Sequence, residues 1–207
     1  MTIALAVCGA VVGGGLALWL RRRPYLDDGC SRPIGWWAVA VAVVVTSGVF
    51  GLLSWRIDEL QLLVVGGLFA AGGVVAVWTD LDAHLLLDKL TYPLAGILLV
   101  TITVSAASTG WWERWVAALL SAGAVAGVLL VWAVFGSLGL GDVKLGVSVG
   151  LVLGFAGGWP MTVRGVLLSL LIAAVLAAAL LVAGRSRKSH LPLGPALVAG
   201  VVACLLG

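Results

Sequence analysis

Eight long apolar runs alternate with short polar segments along the whole chain. The runs fall at about residues 2–20, 36–55, 62–79, 93–109, 115–135, 145–160, 165–184 and 191–207. Each is near the ~20 residues that an α-helix needs to cross a bilayer. The runs are apolar on every side, whereas the strands of a transmembrane barrel would alternate polar and apolar positions. Since backbone polar groups in lipid must be satisfied internally, the runs are predicted to be α-helices.

The composition agrees with this pattern. The chain is 62% hydrophobic and 10% charged, with a mean hydropathy of +1.20. A soluble domain of this length could not bury so much apolar surface. The sequence therefore predicts an all-α, multi-pass membrane protein with about eight transmembrane helices. We expect residues 1–207 to form one transmembrane domain without a soluble insert.

The basic residues predict the orientation of these helices. With the amino terminus outside, nine of the twelve lysines and arginines fall in cytoplasmic segments and three in outer segments, which fits the positive-inside rule. Both termini are then predicted on the outer side. The net charge of +3 is scattered over short segments, so no nucleic-acid-binding surface is expected. The chain has no paired cysteines or histidine cluster, and neither a metal site nor a cofactor is predicted.

Two acid-bearing segments fall on the predicted cytoplasmic side. "TDLDAHLLLDKLTYP" (79–93) follows the third run, and "GLGDVKLG" (139–146) follows the fifth. Asp80 is the first charged residue after the third run. Acids so close to the hydrocarbon are energetically costly, so Asp80 is a candidate functional residue. Two carboxylates brought together can share one proton, so that one activates a water and the other protonates a carbonyl.

Simpler explanations exist for the same residues. Asp142 follows Gly141 and precedes an apolar run, as a helix N-cap would. Lys144 could be an interfacial anchor on the cytoplasmic side. The acids Asp80, Asp82 and Asp88 could be solvated loop residues. A small ion- or proton-coupled transporter using the same acids is the alternative function, although no internal repeat is visible.

Three stretches resemble the type IV leader peptidase family, the prepilin peptidases among the GxGD intramembrane aspartic proteases. "GLGDVKL" (139–145) matches the GxGDxKL segment of the family. "DLDAHLLLDKLTYP" (80–93) matches an acid followed eight positions later by a second acid before Leu-Thr. "LPLGPALVAG" (191–200) is similar to the closing P-F-G-P-x-L-x-x-G segment. In the presenilin-like branch a tyrosine precedes the first acid, whereas this chain has Thr79.

The resemblance implies roles for individual residues. Asp80 and Asp142 would be catalytic and hold the attacking water, without a cofactor. Gly139 and Gly141 would admit an extended substrate, and Lys144 and Asp88 would position it.

It also implies a substrate and a location. The partner would be the helix of a prepilin or pseudopilin with a basic leader, cut at the cytoplasmic face of the inner membrane. Two departures are visible: Leu87 replaces the family's proline, and the first cytoplasmic segment (21–35) is too short for the cysteine-rich insert of the methylating members. The resemblance therefore points to the short, peptidase-only branch.

Overall fold

The computed structural model describes residues 2–21, 36–83, 88–136, 139–182 and 193–207, and every regular element in these ranges is an α-helix. The helices in chain order are α1 (Thr2–Arg21), α2 (Trp36–Arg56), α3 (Leu60–Ala83), α4 (Asp88–Thr109), α5 (Trp112–Phe135), α6 (Leu140–Val182) and α7 (Gly194–Leu206).

Helices α2 to α6 are each long and apolar enough to cross a membrane. Two shorter apolar helices, Ala6–Leu20 within α1 and Gly194–Leu206, accompany them. The predicted class, an all-α multi-pass membrane protein, is thereby confirmed. The count of eight crossings stays a prediction. One buried apolar cluster draws side chains from α2 to α7, and the assignment of residues 1–207 to one domain also stays a prediction.

Helix α6 is broken at Gly157 and Gly158. Gly158 has a φ of +64°, a left-handed conformation that glycine adopts without strain and that a side chain disfavours. Pro160 follows, and its missing N–H is tolerated in the first turn of a new helix. The break divides α6 into a first arm, residues 140–156, and a second arm, residues 159–182.

The two arms run in opposite directions. Thr162, early in the second arm, is hydrogen-bonded through its hydroxyl to the Ser121 hydroxyl at 2.8 Å, and Ser121 also faces Gly154 of the first arm. A Cβ on Gly165 would meet the side chain of Leu153. In a straight helix Thr162 would lie ~12 Å beyond Gly154 along the axis. The sixth and seventh apolar runs therefore lie in the two arms of α6, which pack against each other as two separate helices.

Polar contacts join several helix ends at one end of the bundle, which we call the arginine end. Arg56 Nε donates to the carbonyl oxygen of Leu206 at 2.7 Å. Arg114 donates two hydrogen bonds to the Glu59 carboxylate, at 2.6 and 3.2 Å. The connections α2–α3 and α4–α5 and the end of α7 thus lie together, as an alternating up-and-down topology requires.

Helix α1 begins at the arginine end, where α7 finishes. It packs antiparallel to α2, because Gly9 lies against Phe50 while Gly13 lies against Ala42. The amino-terminal end of α1 and the carboxyl-terminal end of α7 therefore lie on the same side of the bundle. That relation suits the predicted topology, and the side of the membrane that the arginine end faces stays a prediction.

The first arm of α6 packs closely on α5 through small residues. Gly146, Gly150 and Gly154, spaced four apart, form one face of the arm. A Cβ on Gly150 would lie 2.6 Å from the carbonyl oxygen of Ser121, and one on Gly154 would lie 2.6 Å from that of Ala117. Small residues at such spacing allow transmembrane helices to approach backbone to backbone. This contact fixes the position of the first arm along the axis of α5. Asp142 lies in the first turn of that arm.

Candidate active site

Asp80 lies in the last turn of α3, at the end of the bundle opposite the arginine end, which we call the carboxylate end. Asp80 is only 6% exposed. The backbone N–H of Gly194, at the start of α7, donates to its Oδ2 at 3.1 Å. The preceding Thr79 turns its hydroxyl back onto helix carbonyls of α3. Asp80 is therefore a buried helical residue held by another helix, and the expected loop position is wrong.

Asp142 lies in the first turn of α6, which begins at Leu140. It is 8% exposed. Its backbone N–H donates to the carbonyl oxygen of Gly139 at 3.1 Å, and its carboxylate accepts a backbone hydrogen bond from Gly139. This return bond to the residue before the helix is the acid half of a capping box. Asp142 thus caps the helix from within its first turn and does not occupy the N-cap position.

The capping bond accounts for only one of the two Asp142 oxygens. Oδ1 is buried and has no hydrogen-bond partner among the residues that the structure describes. A buried polar atom without a partner costs roughly 1–3 kcal/mol, which is a strong reason to expect a ligand or water there in the working protein. The simple capping explanation therefore leaves the second oxygen unexplained.

The carboxylates of Asp80 and Asp142 interact electrostatically with each other. They come from α3 and α6, far apart in sequence, and Asp80 also contacts the start of α7 through Gly194. Like charges at close range cannot both be ionised cheaply, so such a pair tends to hold one proton between them. A carboxylate and a carboxylic acid side by side are the groups that general base and general acid catalysis require.

Lys144 lies two residues after Asp142 in α6. Its Nζ is 4.9 Å from the centroid of the Tyr92 ring, a cation–π contact that joins α6 to α4 near its amino-terminal end. Tyr92 is 61% exposed. Nothing in the sequence pattern marked it, since a lone tyrosine near a helix start is a common interfacial residue. The glycine stretch beside the pair is open on one side, because Gly139 and Leu140 are both exposed.

The remaining predicted acids are described only through their backbone. Asp88 begins α4 and Asp82 lies in the last turn of α3, and both side chains lie outside the described residues. The segment 80–93 was expected to be a loop before a helix at 93. Helix α3 instead continues to Ala83, and α4 already begins at Asp88. Residues 22–35, 84–87, 137–138 and 183–192 lie outside the described part of the chain.

The contact between Asp80 and α7 was not foreseen. The segment "LPLGPALVAG" attracted attention only through its resemblance, and all of it from Leu193 onwards is described. Its backbone donor carries no side-chain signal, so only Gly194 before Pro195 could have hinted at an unusual helix start. Among described residues, no three His, Cys, Asp or Glu side chains could together hold a metal ion.

Comparison with known proteins gives one match. The family model described as the type IV leader peptidase family matches residues 67–182. The matched region contains both Asp80 and Asp142 and spans α3 to the end of α6. No curated protein and no solved structure matches the chain. The match gives no support to the transporter alternative.

Proposed function

This chain belongs to the type IV leader peptidase family, and we propose from that premise that it is an aspartic endopeptidase in which Asp80 and Asp142 activate water. The observation that carries the proposal is the buried, mutually interacting pair of carboxylates, one of which has an oxygen that no described residue hydrogen-bonds. A purely structural acid would have its hydrogen-bonding capacity filled.

The reaction needs only these two groups and a water. The ionised carboxylate takes a proton from water, and the hydroxide formed adds to the carbonyl carbon of the peptide bond. The protonated carboxyl gives its proton to the carbonyl oxygen, which avoids a free oxyanion. The carboxyl that took the proton from water gives it to the amine nitrogen as the C–N bond of the tetrahedral intermediate breaks. The other carboxylate takes a proton back from a hydroxyl of the intermediate. The products are a new carboxylate and a new amino terminus, and the pair returns to its starting charge.

The location of the pair suits a substrate that enters from a membrane surface. Both acids lie at helix ends, whereas transporter ion sites typically lie near the bilayer midplane. A peptide bond within a helix has its groups engaged in helix hydrogen bonds, so the scissile segment must be extended to be cut. We propose that this segment passes the stretch from the exposed Gly139 to the half-buried Gly141. Lys144, steadied by Tyr92, and Asp88 would border its path.

The proposed substrate is a prepilin or pseudopilin, a protein with a short basic leader and an apolar helix. The bilayer would hold that apolar helix, and the cut would fall at the cytoplasmic face of the inner membrane. Acids at this end suit a leader that carries positive charge.

Cleavage of a purified prepilin tests the proposal. The purified protein in detergent is expected to release the leader, and mass spectrometry of the products should place one cut between leader and apolar helix. Asp142→Asn is expected to be folded and inert, because asparagine still accepts the Gly139 hydrogen bond but cannot carry the shared proton. Release of the leader by Asp142→Asn at the wild-type rate would refute the proposal.

A further inference from the structure

We propose that the amino terminus of α7 is the positioning element for Asp80, acting through the backbone N–H of Gly194. This inference rests on the proposed function and deepens it, because it adds a third helix to the working site. The hydrogen bond from Gly194 to Asp80 Oδ2 is 3.1 Å long, is buried, and joins residues 114 positions apart in the chain. A bond of this kind fixes the rotation of the carboxylate that it holds.

Helix α7 has no cap of its own. The residue before it, Leu193, has helical backbone angles and provides no side-chain hydrogen bond to the helix start. The first turn of any helix exposes N–H groups that need partners. Pro195, the second residue of α7, has no N–H to offer. Asp80 therefore does for α7, from α3, what a local Ser, Thr, Asp or Asn does in an ordinary helix.

Glycine at position 194 has a steric reason. A residue before proline is pushed out of the helical region, because the proline ring collides with its N–H and its Cβ. Gly194 is helical and directly precedes Pro195. Without a Cβ it escapes part of that collision. The Gly-Pro pair thus allows the helix to begin at Gly194, whose N–H has no partner within the helix and meets Asp80.

Close packing fixes the position of α7 along its axis, and so fixes the axial position of the Gly194 N–H. A Cβ on Gly73 of α3 would lie 2.7 Å from the Val198 side chain. A Cβ on Gly200 would lie 2.6 Å from the backbone nitrogen of Ser169 in the second arm of α6. Ser169 Oγ also approaches the Leu197 carbonyl oxygen at 3.4 Å. With contacts on two sides, α7 cannot slide along α3 without a clash, and Gly194 stays opposite Asp80.

The two carboxylates are thereby held in the same way. Asp80 accepts from Gly194 at the start of α7, and Asp142 accepts from Gly139 at the start of α6. Helix amino termini carry a partial positive charge that favours carboxylates nearby. Each carboxylate of the pair is therefore held by a glycine amide at the start of a helix. Loss of the Gly194 donor should loosen only Asp80.

The test compares two substitutions at one position. Gly194→Pro removes the N–H, whereas Gly194→Ala keeps it. Both variants add a Cβ before Pro195 and so share the collision described above. We expect Gly194→Pro to lower kcat for prepilin cleavage by about ten- to a hundredfold, the range for losing a hydrogen bond to a charged group. KM should stay within about twofold, because Gly194 does not touch the substrate. Gly194→Ala should retain clearly more of the wild-type kcat.

A thermal measurement separates this inference from the proposed function, because it needs no activity. Gly194→Pro should lower the melting temperature in the wild-type background and much less in the Asp80→Ala background, where the acceptor is already gone. If Gly194→Pro does not fold, an ester in place of the Gly194 amide removes the N–H without adding a side chain and allows the same comparison. Equal loss of kcat in Gly194→Ala and Gly194→Pro would overturn the inference. Equal melting-temperature shifts in the two backgrounds would overturn it as well, whether or not the protein cleaves prepilin.

Discussion

Substituting Gly150 by alanine should separate α5 from the first arm of α6. The added Cβ would lie 2.6 Å from the backbone nitrogen of Ala122 and 2.6 Å from the carbonyl oxygen of Ser121. Backbone atoms cannot rotate away, so the helices must move apart by roughly 1 Å to reach ordinary contact distance. Overpacking of this kind costs roughly 1–3 kcal/mol, against which alanine in a helix gains about 0.5–1 kcal/mol over glycine. The net loss of about 0–2.5 kcal/mol corresponds to a fall in melting temperature of up to roughly 10 °C.

Gly127→Ala is the matched control, because it makes the same chemical change in the same pair of helices. Gly127 is exposed on α5, and a Cβ there meets nothing within 4 Å. It should therefore leave the melting temperature unchanged or raise it slightly. A thermal melt of both variants in one detergent, with cleavage measured beside it, gives the comparison. If Gly150→Ala melts at or above the temperature of Gly127→Ala, the close α5–α6 approach is wrong.

Three further outcomes are expected. Arg114, through its hydrogen bonds, holds the pKa of Glu59 below the usual 4.5, so the stability that Glu59 adds is present above pH 4.5 and is lost as the pH falls through the lowered value. The pair is partly exposed, so Glu59→Gln should cost only about 0.2–1 kcal/mol at pH 7 and less at pH 3 in denaturation curves; an equal cost at both values would contradict the pairing. Asp82→Asn should keep most prepilin cleavage while Asp80→Asn abolishes it, and the reverse result would shift the site by two residues. A cysteine introduced at Lys188 should resist labelling by a membrane-impermeant reagent in intact cells, whereas labelling from outside would overturn the predicted orientation.

The sequence revealed the two catalytic candidates because each stands out against an apolar background. In a chain with so few acids, Asp80 and Asp142 beside long hydrophobic runs are conspicuous, and their neighbours carry the family resemblance. The burial of both and the unpartnered Oδ1 could not be predicted, since they depend on how α3, α6 and α7 converge. The hydrogen bond from Gly194 could not be predicted either. Every residue except proline has a backbone N–H, and the sequence does not show which one donates to a side chain.

Helix boundaries differed from the prediction for a physical reason. Hydropathy marks where a helix leaves lipid, not where its hydrogen bonds stop. Helix α3 therefore continues through Asp80 to Ala83, past the end of its apolar run at 79, and α6 begins at Leu140 rather than at 145. The break in α6 falls at Gly157 and Gly158, inside the sixth apolar run, because the turn there is made by glycines that hydropathy does not distinguish from helix residues.

The central claim is that Asp80 and Asp142 work as one unit. The direct measurement is prepilin cleavage by Asp80→Asn, Asp142→Asn and the double variant, each purified and shown to be folded by a thermal melt. Two acids that share one proton fail together, so each single variant should lose nearly all cleavage and the double variant should be no worse than either. Wild-type-like cleavage by either folded single variant would contradict the account.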